Sequence, residues 1–386
     1  MVRDVGLAEE LAQDALVAAL EQWPREGVPR NPGAWLMTVG KRRAVDLIRR
    51  QRAYERKLAE IGHLLDDSEE LPDPEEIEDD LLRLVFTACH PELPVESRVA
   101  LTLKVLGGLT TAEIARAFLV PEPTVAQRIV RAKRALAERA VPFEVPQGAE
   151  LATRLESVLE VIYLVFNEGY SATAGEDWLR PQLCEDALRL GRVLAGLMPR
   201  EPEVQGLLSL MAIQLSRAQA RTGPDGEPVL LLDQDRARWD RLLIAQGLTA
   251  LIRAEELTAA GLGPYGLQAA IAACHARADR PEDTDWVLIS ELYERLAHLT
   301  PSPVVELNRA VALAMAYGPA SGLYLVDQLV DDPALKGYHL LPSIRGDLLF
   351  KLGRFAEARA EFERAAGLTG NERERVLLNT RAAACG

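Results

Sequence analysis

The N-terminal part of the chain alternates between stretches with helical hydrophobic spacing and stretches rich in proline, glycine and charge. Residues 7–23 place apolar side chains on one helical stripe, which a proline- and glycine-containing stretch then ends. Asn31 followed by Pro32 is typical of a helix start, and we expect a second helix from there to about Ile61. This pattern predicts an N-terminal helical domain over residues 1–62.

An acidic stretch follows this first domain. Residues 66–80 contain ten acidic side chains and no basic one, which is the composition of a solvated linker. We therefore predict a linker at 63–80. Helical spacing then resumes and predicts four short helices over residues 81–140, before a proline-containing extended segment at 141–147.

Residues 149–386 continue with helical spacing and have features of a repeat. Small and aromatic residues follow tetratricopeptide spacing between Leu340 and Leu368, namely Gly346, Gly353, Phe355, Ala358, Phe362 and Ala365. Two further hairpins, at 264–299 and 303–335, have similar length and proline-marked ends. The chain is therefore predicted to be all-α, with a tetratricopeptide-like C-terminal domain that presents a concave surface to a peptide or another domain.

The distribution of charge changes the interpretation of the total charge. A net charge of −14 by itself disfavours nucleic acid as a partner. Between residues 30 and 57, however, nine lysines and arginines stand against two acidic residues. This local basic surface is suited to binding phosphate groups.

Residues 108–136 have the pattern of a helix-turn-helix. Thr110 and Glu113 are spaced as a capping box, residues 119–121 form a tight break, and a second helix follows from Glu122. One face of that second helix is apolar, and its other face carries Thr124, Gln127, Arg128, Arg131 and Arg134. These donors suit base edges and phosphates in a major groove, although an ordinary helical hairpin with a basic face remains the alternative.

The chain lacks the residue patterns that metal binding, catalysis or membrane insertion would require. The four cysteines are far apart without a CxxC pair, so we expect buried thiols and no metal, disulfide or cofactor. Glu168, Glu176 and Asp177 lie close in sequence without a nucleophile–base pair, so no catalytic residue and no enzyme activity is predicted. The chain has no apolar run of membrane-spanning length and a charged start, so we expect a cytoplasmic protein without membrane contact.

Taken together, these motifs resemble the extracytoplasmic-function class of sigma factors. Residues 121–134 look like the family's minus-35 recognition helix, and residues 9–20 with Trp23 are similar to its polymerase-docking helix. Residues 35–50 look like the helix that opens and reads the minus-10 element. Residues 79–91 and the C-terminal region resemble a subgroup with a tetratricopeptide-type extension.

The resemblance implies a region-2-like domain, a region-4-like helix-turn-helix domain, and core RNA polymerase and promoter DNA as partners. It implies polymerase contacts by Gln13, Asp14 and Glu21. It implies minus-10 contacts by Lys41, Arg42, Arg49, Arg52 and Arg56, and minus-35 contacts by Thr124, Gln127, Arg128, Arg131 and Arg134. We also expect the C-terminal domain to contact the sigma half, or polymerase, and to set its activity.

Two departures from the family pattern leave alternatives open. Members usually have another helix before the position of Met1, which makes Met1 a candidate misplaced start, and they often have Asn in place of Arg42. One alternative is an operator-binding transcription regulator with a tetratricopeptide-like sensor domain, which would form dimers and bind duplex DNA only. Another is a scaffold in which only the repeat domain works. Trp23 and Trp35 could stack on bases or pack in the core.

Overall fold

A computed structural model describes residues 15–16, 19, 23, 27–29, 31–33, 35–39, 74–118, 120–171, 179–223 and 227–386, with the helix but not the side chains described over 74–80. The chain divides into two compact units. The first takes in residues up to 115 and 120–161, and the second takes in 116–119 and 162–386. In the described ranges the regular structure is helical apart from an isolated bridge between Thr222 and Pro228, which confirms the all-α prediction.

The first unit contains the four helices predicted before residue 140. They are α1 (Pro74–Ala88), α2 (Val95–Val105), α3 (Thr111–Ala117) and α4 (Glu122–Glu138). Helix α1 packs on α2, and α2 packs on α4. The last two residues of α3 cluster with the second unit.

Helix α1 begins earlier than the acidic composition suggested. It starts at Pro74, so residues 74–80 are helical, although the sequence pattern assigned them to the linker. The physical reason is local: proline fits the first helical position, and Glu75 and Glu76 lie where the helix dipole favours negative charge.

The next helix, α5 (Ala149–Tyr170), begins in the first unit and ends in the second. The second unit continues with α6 (Pro181–Leu197), α7 (Pro202–Ser216), α8 (Arg241–Glu256), α9 (Pro264–Arg277), α10 (Trp286–Leu299), α11 (Pro303–Tyr317), α12 (Pro319–Leu329), α13 (Leu340–Lys351), α14 (Phe355–Leu368) and α15 (Glu372–Ala383). From α6 onward each helix contacts the next one along the chain, and α7 also contacts α9. The hairpins predicted at 264–299 and 303–335 correspond to α9 with α10 and α11 with α12.

The hairpin formed by α13 and α14 is closed by a glycine opposite a phenylalanine. A Cβ atom on Gly346 would lie 3.0 Å from the ring of Phe362, so the absence of a side chain lets the ring seat against the facing helix. Ala358, Phe362 and Ala365 are all buried. Gly346 and Ala358, two small residues of the predicted spacing, therefore lie where α13 and α14 meet.

A few described residues of the N-terminal domain show how it packs locally. The N–H group of Trp35 donates to the carbonyl oxygen of Asn31 at 3.2 Å, in agreement with a helix start at Pro32. The rings of Trp23 and Trp35 meet edge to face at 5.5 Å, which favours packing over base stacking. No described helix is both long and apolar enough to cross a membrane.

Candidate nucleic-acid interface

The first helix of the helix-turn-helix, α3, begins with a reciprocal capping box. The hydroxyl oxygen of Thr110 accepts from the Glu113 N–H at 3.2 Å, and the Glu113 carboxylate accepts from the Thr110 N–H and hydroxyl, both at 2.7 Å. Two backbone donors that the helix itself cannot satisfy are thereby bonded. The predicted capping box is confirmed.

The second helix, α4, has one buried face. Val125, Ile129, Ala132 and Leu136 are each at most 7% exposed. Their spacing places them on the stripe that the sequence predicted. Pro121 has an extended backbone and Pro123 lies in the first turn of the helix, so the chain enters α4 without losing backbone hydrogen bonds.

The opposite face of α4 carries the predicted minus-35 residues. Gln127, Arg131 and Arg134 are exposed, and Thr124 and Arg128 are half-buried. The Nε atom of Arg134 donates to Glu138 at 2.6 Å, and this hydrogen bond raises the pKa of Arg134 above its usual value. The structure thus brings five donors to one side of a helix whose other side is packed.

The remaining predicted site residues lie outside the described part of the chain. These are the minus-10 set, Lys41, Arg42, Arg49, Arg52 and Arg56, and the polymerase-binding set, Gln13, Asp14 and Glu21. Their assignments therefore stay predictions.

The two helices that precede the helix-turn-helix in the chain are held by polar side chains of α5, which no sequence pattern indicated. Arg154 donates to the carbonyl oxygen of Phe86 at 3.0 Å, and Ser157 donates to that of Cys89 at 2.6 Å. Both acceptors lie at the end of α1, where carbonyl groups have no partner within the helix. The positive charge of Arg154 also suits this end of the helix dipole.

A second buried arginine connects α2 to the same face of α5. Arg98 is 7% exposed and donates to the hydroxyl of Ser157 and, at 2.9 Å, to the carboxylate of Glu160. Because the partners are about 60 residues apart in sequence, no local pattern could have indicated them. The N-terminal half of α5 is therefore packed as part of the first unit.

The cysteines behave as buried thiols, as predicted. All four are buried and unbonded to one another. Burial raises the pKa of Cys89 to about 11, and its Sγ atom lies 3.3 Å from the hydroxyl of Thr102. Over the described ranges, no group of three or more His, Cys, Asp or Glu side chains is placed to hold a metal ion.

Within the second unit, one arginine links the end of α3 to the C-terminal helices. Arg180, which precedes α6, donates to the carbonyl oxygen of Ala117 and to the carboxylate of Glu168. The side chains of Arg180 and Glu168 are only 13% and 12% exposed. Glu168 thus has Arg180 as an ion-pair partner.

Three family models match the chain. Residues 1–54 match sigma-70 region 2, and residues 83–136 match sigma-70 region 4. Residues 154–255 match a family of unknown function, DUF6596. The region 4 match includes the helix-turn-helix and its buried and exposed faces.

Related proteins agree with these models. An uncharacterized protein of Rhizobium meliloti (strain 1021) is 47% identical over 381 residues, which are 97% of this chain and 89% of that protein. The ECF RNA polymerase sigma factor SigC of Mycobacterium tuberculosis is 29% identical over 36% of this chain and 73% of its own length. The ECF RNA polymerase sigma factor SigK of Mycobacterium ulcerans is 30% identical over 35% of this chain and 73% of its own length. With both sigma-70 regions present and in order, the chain belongs to the ECF family of RNA polymerase sigma factors.

Proposed function

We propose that this sigma factor binds core RNA polymerase and directs initiation at promoters whose minus-35 element is read by α4. The two-sided character of α4 carries the proposal, since the packed face holds the helix while Gln127 and Arg131 stay exposed. Glutamine pairs with adenine edges, and arginine pairs with guanine edges or phosphates. The proposal excludes a free-standing operator-binding regulator, because a sigma factor acts only with polymerase.

The N-terminal domain supplies the second contact in this proposal. Its basic segment, residues 30–57, would bind the phosphate backbone of the promoter near the minus-10 element through the assigned lysine and arginines. Each phosphate contact lowers the logarithm of the binding constant by roughly 0.9 for every tenfold rise in salt concentration. Run-off transcription with purified core polymerase tests the whole proposal, and failure to initiate from any promoter template contradicts it.

Replacing Gln127 with alanine tests the role assigned to α4. The variant should lose one bidentate base contact, which is worth about 1–3 kcal/mol of discrimination. We expect holoenzyme binding to the cognate promoter to weaken roughly 5- to 150-fold, while preference at one minus-35 position relaxes. A binding series over single-base minus-35 variants measures both effects.

The matched control is Gln246→Ala, which removes an exposed glutamine from α8. This variant should bind the same promoter series as the unmodified protein does. An unchanged base preference in Gln127→Ala would contradict the assignment of Gln127.

We also propose that the C-terminal region is a tetratricopeptide-like domain that acts on the helix-turn-helix. Two contacts support this: Arg154 holds the end of α1, and Arg180 holds the end of α3. The chain of contacts between successive helices from α6 onward is typical of repeat arrays, in which each unit packs on its neighbours.

Replacing Arg154 with alanine tests the first of these contacts. The change leaves the Phe86 carbonyl at the end of α1 without its charged donor. The free energy of unfolding of the first unit should therefore fall by about 2 kcal/mol. We expect promoter-dependent transcription to fall at temperatures where the unmodified protein is fully active. Urea unfolding and run-off transcription on the same preparations measure the two effects.

Glu156→Ala is the control, because Glu156 is exposed on the same helix one position from Ser157. It should change the free energy of unfolding by no more than about 0.5 kcal/mol, the usual range for a surface substitution, and it should leave run-off transcription unchanged. Normal transcription by a destabilised Arg154→Ala protein would contradict the proposed action of the C-terminal region on the helix-turn-helix.

A further inference from the structure

Three arginines and two aromatic rings alternate within the second unit. We call Arg221, Tyr170, Arg217, Trp239 and Arg236 the arginine–aromatic stack. The Cζ atom of Arg221 lies 3.7 Å from the centre of the Tyr170 ring, and that of Arg236 lies 4.8 Å from the Trp239 ring. Between them, the Cζ atom of Arg217 is 5.9 Å and 5.8 Å from the two rings. These distances are in the range of cation–π interactions.

The two outer arginines also have a structural role at helix ends. Arg221 donates to the carbonyl oxygen of Tyr170, the last residue of α5. Arg236 donates to the carbonyl oxygens of His275 and Ala278, at 2.5 and 2.6 Å, near the end of α9. Positive charge is favourable at these helix ends. Their positions therefore follow from helix capping.

The central arginine, Arg217, has no such role. It donates to the hydroxyl of Tyr170 at 2.8 Å and to the side-chain carbonyl of Gln214, which are neutral acceptors. The side chain is only 8% exposed. A cation buried to this extent between two rings usually has an anionic partner, because burial without one is costly.

The stack also has more buried donors than acceptors. The Nε atoms of Arg217 and Arg236 and the Nε1 atom of Trp239 are buried without a hydrogen-bond partner among the described residues. These three residues are at most 8% exposed. Each of the three atoms can only donate, so an acceptor is what the surroundings lack.

The charge of Arg217 acts on the other arginines of the stack. Burial lowers the pKa of Arg221 and of Arg236, and the charge of Arg217 lowers both further, while Glu374 acts on Arg221, and Asp279, Glu282 and Asp283 act on Arg236, in the opposite direction. Burial, together with the charges of Arg217 and Arg236, lowers the pKa of His275 to about 3, so the imidazole is neutral. An anion would be stabilised where these cations are crowded.

We propose that the arginine–aromatic stack binds a small oxyanion, such as inorganic phosphate or the phosphate or carboxylate group of a small molecule, with Arg217 as the central contact. Guanidinium groups bind such anions through paired, charge-assisted hydrogen bonds. Because its three arginines are each at most 8% exposed, the stack is out of reach of a protein segment, and the ligand that we propose is a small molecule. This site is separate from the residues assigned to DNA and goes beyond the proposed function.

Inorganic phosphate is the first probe, with the full-length protein and sodium chloride used to hold ionic strength constant. Saturating phosphate should raise the thermal unfolding midpoint by about 3 °C or more, with a hyperbolic dependence on concentration. A parallel acetate titration separates a preference for phosphate from one for carboxylate. Arg217→Gln should raise the dissociation constant of the preferred anion at least tenfold.

Arg192→Gln is the matched control, because Arg192 is exposed on α6 and bonds the side chain of Gln246. It should keep the affinity of the unmodified protein. Arg217→Lys guards against a misfolded Arg217→Gln protein, since it keeps the charge, loses the planar fork and should still bind several-fold more weakly. The proposal would be overturned if neither phosphate nor acetate gave a saturable rise in the unfolding midpoint. It would also be overturned if all three variants responded equally to the anion.

Discussion

Replacing Gly206 with valine should lower the free energy of unfolding of the second unit by more than about 3 kcal/mol, above the usual range for an overpacked core. A Cβ atom at this position would lie 2.6 Å from the backbone nitrogen of Gly266 and 2.9 Å from its Cα atom. Backbone atoms cannot move aside as a flexible side chain can. Helices α7 and α9 would have to separate.

The separation would also break the cap of α9. The carboxylate of Glu203, one turn before Gly206 on α7, accepts the N–H groups of Tyr265 and Gly266 at 2.9 and 3.1 Å. Such a cap contributes about 0.5–2 kcal/mol. Urea unfolding of the full-length protein, followed by tryptophan fluorescence, measures the combined loss.

Gly196→Ala is the matched control for this substitution. Gly196 lies in the last turn of α6, and a Cβ atom there would meet nothing within 4 Å. Alanine should therefore leave stability unchanged or raise it by up to about 0.5 kcal/mol, because it reduces the entropy of the unfolded chain. Equal effects of the two substitutions would show that the close approach of α7 and α9 is wrong.

Replacing Arg180 with alanine should have the second large effect, on stability and on transcription. The change leaves Glu168 as a nearly buried carboxylate without this cation and removes the donor to the Ala117 carbonyl. Breaking a buried ion pair by removing one partner costs about 3–5 kcal/mol. Because Ala117 ends α3, the loss should reduce initiation at promoters that depend on the minus-35 element.

Glu168→Gln separates the two roles of Arg180. Glutamine keeps a side-chain acceptor for Arg180 and leaves the Ala117 carbonyl contact in place, while the charge of the pair is lost. We expect this variant to be destabilised but to keep its minus-35 dependence, as measured by run-off transcription on promoters with intact and scrambled minus-35 elements. If both variants lose that dependence equally, the contact with Ala117 does not explain the action proposed for the C-terminal region.

Much of the helix-turn-helix could be predicted from the sequence because its determinants are local. The capping box joins Thr110 to Glu113, the break follows within a few residues, and the stripe of α4 repeats every three or four positions. The start of α1 at Pro74 has local determinants as well. The acidic composition of residues 66–80 is typical of a linker, but the proline and the glutamates that follow it favour a helix start.

The contacts that join distant segments could not be read from the sequence. Arg98 and Arg154 stand in the chain as ordinary charged residues of amphipathic helices, which are usually exposed. Only the packed structure brings them to Ser157 and to the Phe86 carbonyl. The same holds for the arginine–aromatic stack, whose members come from the end of α5 and from the segment between α7 and α8.

The sequence by itself determined the all-α class, the approximate positions of two hairpins and the polar face of α4, because hydrophobic periodicity and capping act over one or two turns. Tertiary structure alone decided that Ser157 of α5 bonds the end of α1, that Arg180 reaches Ala117, and that three arginines share one buried stack. The physical reason is that burial and charge pairing depend on which surfaces meet, and that is set by the packing of the whole unit.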